Sequence, residues 1–238
     1  NLQWPANDSL SMTLQGAFTE TRSWVNGRDQ HALFFEDDFR DPSDAAWRKC
    51  YNHLDWIAQD CGFEAKLTME SRNSFPMSCG IASSASGLLA LTIAALAAWT
   101  GSRTLEDLAQ KGYGKEEIAR LARMGSGSAC RSVSGGFVHW QAGDDAKDQR
   151  VVQIFDDEHW SLANIIVVIS DHPKKVSSSV GHEFAWTSPL FPARLEILDA
   201  RLKEMVAAIA SKDFMRLGEL IELEALEMHS VMMSSTPA

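Results

Sequence analysis

Between Pro76 and Gly87 the chain reads Pro-Met-Ser-Cys-Gly-Ile-Ala-Ser-Ser-Ala-Ser-Gly, and the segment that follows, Leu88 to Trp99, carries no charge. Small residues crowd a turn and a buried helix starts behind them, and the rest of the chain must be organised around that helix. Gly80 can take a positive φ and let backbone come close to a ligand. Ser83 and Ser84 are good N-cap residues, with hydroxyls that point where the free helix N–H groups point. Together these features describe an anion site at a helix N-terminus. An ordinary serine-capped core helix has the same local signature, so a second stretch has to decide between the two.

The chain has 238 residues, 45% of them apolar, enough for one large domain or two modest ones with a real core. Its 22 basic residues stand against 32 acidic ones, for a net charge of -10. No run of cations is longer than Lys174-Lys175, which argues against a nucleic-acid partner. In so acidic a chain, single cations beside glycine- and serine-rich turns carry the information about anionic small molecules. Cys50, Cys61, Cys79 and Cys130 show no zinc spacing. With no secretory segment at the start, they read as reduced thiols in a cytoplasmic protein. The run from Gly87 to Trp99 is short for a bilayer span, so no membrane partner is expected.

In chain order, Leu10, Met12 and Leu14 alternate with Ser9, Ser11 and Thr13, as in a strand with one face on a core. Phe18 to Trp24 is a second predicted strand, and Asn26-Gly27 after it is a hairpin signal, giving an expected opening meander. Ser43 to Cys61 has helical spacing, with Asp41-Pro42-Ser43 as stop and N-cap. Ala65 to Ser71 alternates as a half-buried strand and leads straight into the small-residue loop. Thr104 to Arg123 is predicted helical, broken by Gly112 and Gly114. Leu162 to Ser170 is predicted as a strand buried on both faces. Two amphipathic helices, Pro192 to Ser211 and Phe214 to Met233, follow and suggest a second α+β unit.

The second informative stretch runs from Met124 to Trp140. Its glycines and serines surround a single cation, Arg131, and give way to a strand at Phe137. A guanidinium is a planar fork suited to carboxylate or phosphate oxygens. A third loop, Asp171 to Gly181, carries Lys174, Lys175 and three serines.

Taken together the loops are specific. Pro76, Gly80, Ile81, Ser83, Ser84 and Ala85 resemble the phosphate-binding loop of the GHMP kinase superfamily, with Ile81 where Leu is usual, a volume-conserving change. Gly125 to Ser132 with Gly135-Gly136-Phe137-Val138 resembles its diphosphomevalonate decarboxylase branch. Asn7 to Leu14, Trp24 to Gly27, and Asn73, Phe75 and Pro76 do so as well. The resemblance implies an α+β, two-domain GHMP-kinase-like fold. Its N-terminal domain, residues 1–160, would resemble the second domain of a small-subunit ribosomal protein and bind the nucleotide. Residues 161–238 would form part of a ferredoxin-like C-terminal domain. It also implies ATP-dependent decarboxylation of mevalonate 5-diphosphate to isopentenyl diphosphate, through 3-phosphorylation, with ATP and Mg2+ and in a homodimer. A phosphomevalonate decarboxylase, a mevalonate-type kinase and a non-catalytic metabolite-binding homologue stay open as alternatives.

By the same resemblance, Ser78, Cys79, Gly80, Ile81, Ala82, Ser83 and Ser84 would cradle the ATP phosphates. Ser126, Gly127 and Ser128 would hold the substrate diphosphate, and Arg131 would pair with the substrate carboxylate or diphosphate as the catalytic cation. Ser178 would lie near the substrate; Ser179 stands where some members have arginine, so that loop keeps a share of diphosphate binding only if Lys174 or Lys175 substitutes. The family's Lys- and Tyr-containing strand before Asn1, and its Asp-Ala-Gly-Pro-Asn segment after Ala238, have no match. Both ends are therefore expected to be missing, and with them the general-base aspartate. Of the acidic residues present, Asp8, Asp171 and Glu227 are the conceivable substitutes.

Overall fold

The computed structural model describes residues 3–75, 83–145, 148–167, 181 and 183–236. The first half runs β1 (Ser9–Met12), β2 (Thr19–Val25), β3 (Ala32–Phe35), β4 (Asp38–Arg40), α1 (Ala45–Cys61), β5 (Leu67–Asn73) and α2 (Ser83–Thr100). There follow α3 (Leu105–Gln110), α4 (Lys115–Gly125), a 3-10 helix (Gly127–Val133), β6 (Phe137–Gln141) and β7 (Arg150–Phe155). A short 3-10 turn at Ala185–Thr187, α5 (Phe191–Ser211) and α6 (Phe214–Ser234) close the described chain. This is a mixed α+β architecture, as expected.

The uncharged helix is the centre of the first half. One side of α2 packs Leu88, Leu89 and Leu96 against Ile57 of α1, Leu121 of α4 and Ala129 of the 3-10 helix. Another packs Leu91 and Ala95 against Leu33, Leu54, Leu67 and Met69, from β3, α1 and β5. At 18 residues and a mean hydropathy of 1.4, α2 is long and apolar enough to cross a bilayer, more than its 13-residue apolar core suggested. Here strands and helices cover it instead.

Sheet order departs from the expected meander. One sheet is β2-β5-β3-β4, with β3 parallel to β5 and the other pairs antiparallel. Gly27 does take the left-handed conformation (φ 62°) and Asn26 Oδ1 accepts the Arg28 N–H at 2.9 Å, but this turn does not join a hairpin. Burial decides the matter. β3 is short and apolar, with Ala32, Leu33 and Phe35 buried, so it takes an interior place, while the charged, half-exposed β2 takes the edge. The hairpin falls at Glu36-Asp37 between β3 and β4, where both residues have positive φ.

The second sheet, β1-β6-β7, is antiparallel throughout. Phe137 and Met12 on one of its faces pack with Ala208, Ile209, Leu217 and Leu220 of α5 and α6. Those two helices are joined by Lys212 in the left-handed region and capped by Asp213, whose carboxylate accepts the Arg216 N–H. Between them Arg194 and Arg201 form a box of ion pairs with Glu224 and Glu227.

Two further expectations need correction. The N-cap of α1 is Asp44, not Ser43; Asp44 Oδ1 accepts the Ala46 N–H at 2.9 Å, and Asp41 holds Ser43 in the preceding turn. Residues 162–167 form no strand. No neighbour pairs with them among the described residues, and Ile165 is 87% and Val167 78% exposed. An apolar run becomes a strand only where a sheet edge accepts its N–H and C=O groups. Residues 168–170 of that expected strand lie outside the described residues.

His31 and His53 are buried and held neutral. Burial lowers each from 6.5 to about 4, helped by Lys66 at His31, against the opposing Asp55, and by Lys49 at His53. The unfolded chain takes up these protons near pH 6.5 and the folded one does not until about 4. Stability is therefore full above 6.5 and is lost as pH falls toward 4, by about 3 kcal/mol per histidine. Urea midpoints measured between pH 7.5 and 4 are expected to drop across that window; a flat profile would contradict the neutral, buried imidazoles.

Candidate active site

The serine-glycine loop is shaped by close approaches that only small residues permit. At Gly125, the last residue of α4, an added Cβ would lie 2.8 Å from ring atoms of His53. His53 is fixed in turn: Thr92 spends its one hydroxyl hydrogen on Leu88 O (2.7 Å), so it accepts from His53 Nε2–H (2.9 Å). The end of α4 thus rests on a ring bonded to α2. Ser126 then turns extended (φ -153°, ψ 126°) and the 3-10 helix begins. Ser126 Oγ and Ser128 Oγ stand 3.2 Å apart, and Ala129 N–H donates to Ser126 O at 2.8 Å. Beyond the 3-10 helix Gly136 has a φ of 67°, and a side chain there would collide with the backbone of Phe155 and Asp156.

Arg131 points across the loop onto the second sheet. Its Nη1–H donates to Ser9 Oγ at 2.7 Å, and its Cζ lies 5.7 Å from the Trp140 ring centroid. No carboxylate pairs with it among the described residues, and burial lowers its pKa, which marks the cost of desolvating an unpaired cation. A second buried cation, Arg123, lies in the last turn of α4 with its Nε unbonded. Burial pushes the Cys130 thiol up to about 11, against the opposing pull of Arg131 and Arg123.

Ser83 and Ser84 open α2, which has no acidic residue in its first turn to repel an anion. That turn is tied to the sheet through Thr19 Oγ1, 2.8 Å from both Asn73 Oδ1 and Ser86 Oγ. Ala129 belongs to the same buried cluster as Leu88, Leu89 and Leu96, so the 3-10 helix packs on the helix that Ser83 and Ser84 begin. Ser126, Gly127, Ser128 and Arg131 are thus brought together, with Ser83 and Ser84 heading the helix beneath them. Ser78, Cys79, Gly80, Ile81, Ala82 and Ser178 lie outside the described residues.

The acidic candidates are already engaged. Asp8 accepts the Ala142 N–H (2.7 Å) through Oδ1 and lies 2.8 Å from His139 Nε2 through Oδ2. Glu227 sits in the arginine box, where Arg201 holds its carboxyl below the usual range. Asp171 lies outside the described residues. A cleft of about 440 Å³ among Leu14, Phe75, Phe137, Asp157 and Trp160 opens at the other end of β1 and includes none of the site residues.

Two sequence profiles match: a diphosphomevalonate decarboxylase-like N-terminal domain over residues 1–151 and a mevalonate 5-diphosphate decarboxylase C-terminal domain over residues 164–238. The chain belongs to the diphosphomevalonate decarboxylase family. Human diphosphomevalonate decarboxylase is 34% identical over 260 residues, covering 98% of this chain and 60% of the human one. The mevalonate diphosphate decarboxylase of Staphylococcus aureus superposes with a TM-score of 0.83 at 32% identity, over 98% of this chain and 68% of that one. MDDEF, in complex with MVAPP, AMPPCP and magnesium, gives 0.83 at 30% identity, over 100% and 70%. The fold is therefore the GHMP-kinase-like fold of these decarboxylases. The chain spans about 60% of the length of the curated relatives it matches.

Sequence reasoning missed Ser9, Trp140 and the His53 support in this family member. The available signal was the hydroxyl row Ser9, Ser11 and Thr13, which alternates with the apolar face of β1. If the His53 contact shapes the loop, Gly125→Ala should cost about 1–3 kcal/mol of stability. The double variant Gly125→Ala, His53→Ala should be less destabilised than the sum of the two singles, as residues in contact are coupled. Strict additivity in urea unfolding would contradict the contact.

Proposed function

We propose that this chain catalyses ATP-dependent decarboxylation of mevalonate 5-diphosphate to isopentenyl diphosphate. The observation that carries this is that one short segment brings together the facing hydroxyls of Ser126 and Ser128 and, within the same 3-10 turn, Arg131, a guanidinium with no carboxylate partner among the described residues. A diphosphate suits two hydroxyls with a loop of N–H groups, and a carboxylate suits the guanidinium fork. When bound, Mg·ATP supplies the phosphoryl group that makes the tertiary 3-hydroxyl a leaving group. Ser83 and Ser84, at a helix start free of acidic residues, fit the anionic end of the nucleotide. Mg2+ would be carried largely by the nucleotide's own phosphates.

In this reading Ser126 and Ser128 orient the diphosphate and Arg131 fixes the carboxylate, so that the bond to the departing CO2 is aligned with the leaving oxygen. No described residue is assigned as general base, because Asp8 and Glu227 are both engaged. We further propose a cytoplasmic homodimer acting on a phosphorylated small molecule, with residues 1–160 and 161–238 as its two domains. Sedimentation equilibrium checks the dimer.

The test is the full-length polypeptide with ATP, Mg2+ and mevalonate 5-diphosphate. CO2 released in step with ADP is the expected result; ADP without CO2 would mean a kinase-type reaction, and neither product would mean a binding homologue. Arg131→Lys should lose at least about tenfold in kcat/KM while unfolding at the same urea concentration, since the ammonium cannot make the bidentate pair. Unchanged turnover would remove Arg131 from the site. Ser84→Ala should raise the KM for ATP, and an unchanged value would count against the helix start as the nucleotide end.

A further inference from the structure

Arg131 carries five N–H donors, yet among the described residues its hydrogen bonding is to Ser9 alone, at 2.7 Å. Its planar face lies against Trp140, 5.7 Å from guanidinium carbon to ring centroid. Ser9 and Trp140 are direct partners in the β1–β6 register, so their side chains share one face of the sheet. Each is fixed from behind. Trp140 is 7% exposed and its Nε1–H donates to Gln149 Oε1 at 3.2 Å. Its ring also lies against the start of the same loop, where a Cβ on Gly127 would come within 3.2 Å of Cη2. The neighbour of Ser9, Asp8, points to the opposite face and ties β1 to Ala142 and His139.

We propose that Ser9 and Trp140 are positioning residues that hold the Arg131 guanidinium in place before substrate arrives. The hydroxyl takes one Nη1–H and the indole takes the ring face, so the guanidinium keeps further N–H donors for an incoming carboxylate or phosphate. An arginine side chain left to itself samples many rotamers, and binding would otherwise have to remove that freedom. This inference rests on the assignment of Arg131 to the substrate, and neither Ser9 nor Trp140 is required to touch it.

The experiment is a double-mutant cycle on the full-length protein, reading the dissociation constant for mevalonate 5-diphosphate by calorimetry, alongside NMR of guanidinium rotation at Arg131. Ser9→Ala should weaken binding about tenfold, the weight of one hydrogen bond to a charged group, and leave the ATP dissociation constant unchanged. Ser9→Thr, which keeps the hydroxyl, should restore most of the affinity. In an Arg131→Ala background Ser9→Ala should have no further effect; an equal loss in both backgrounds would overturn the proposal. Rotation about the Arg131 guanidinium should be slow in the free protein and fast in Ser9→Ala. Fast rotation in the unsubstituted protein would overturn it as well, whatever the enzyme does. Slow rotation in a protein that neither binds nor decarboxylates mevalonate 5-diphosphate would instead retire the functional reading and leave the clamp standing.

Discussion

An uncharged helix of eighteen residues has to be covered on its sides, and the coverage of α2 arranges the first half of this protein. The β2-β5-β3-β4 sheet lies on part of it, α1 and α4 on another, and the 3-10 helix on its early turns. Because Ala129 shares a buried cluster with Leu88, Leu89 and Leu96, the loop bearing Ser126, Ser128 and Arg131 stands on the helix that Ser83 and Ser84 begin. The two segments proposed to meet anions, distant in sequence, thus share one helix. Catalysis by positioning needs such a base, since small displacements of a binding group are costly in rate.

The β1-β6-β7 sheet serves as the second constraint because both of its faces are occupied. Asp8, Met12, Phe137 and His139 look toward α5 and α6, while Ser9, Val138 and Trp140 look toward the 3-10 helix. Alternation along a strand thus gives one set of side chains to the packing of the later helices and the other to Arg131. The arginine-glutamate box between α5 and α6 belongs to the first task. It fixes the two helices to each other and uses up a carboxylate that would otherwise attract a catalytic reading.

What could be read from the sequence was what local chemistry encodes. The spacing of α1, the capping residues Thr104 and Asp107 of α3, the break at Gly112 to Gly114, and the glycine-serine loop around Arg131 all carry their reason within a few residues. The rest depends on which elements meet. Asn26-Gly27 makes the turn its residues favour, but which strand pairs with β2 is set by the burial of β3, far from that turn. Val167 and Ile165 are as apolar as any core strand and lie exposed for want of a pairing edge. Ser9 reads as a polar strand residue until the register sets it beside Trp140 and beneath Arg131. Gly125 reads as loop glycine until His53 is seen against it.

In the proposed function one loop holds both charged ends of the substrate, the diphosphate at Ser126 and Ser128 and the carboxylate at Arg131. A crystal structure of the full-length protein with mevalonate 5-diphosphate tests it most directly. The expected result is the diphosphate within hydrogen-bond distance of both serine hydroxyls and the carboxylate on the guanidinium of Arg131, with the Ser9 contact kept. A ligand seated instead in the cleft beside Phe75 and Trp160, with Arg131 unmoved and unpaired, would contradict it.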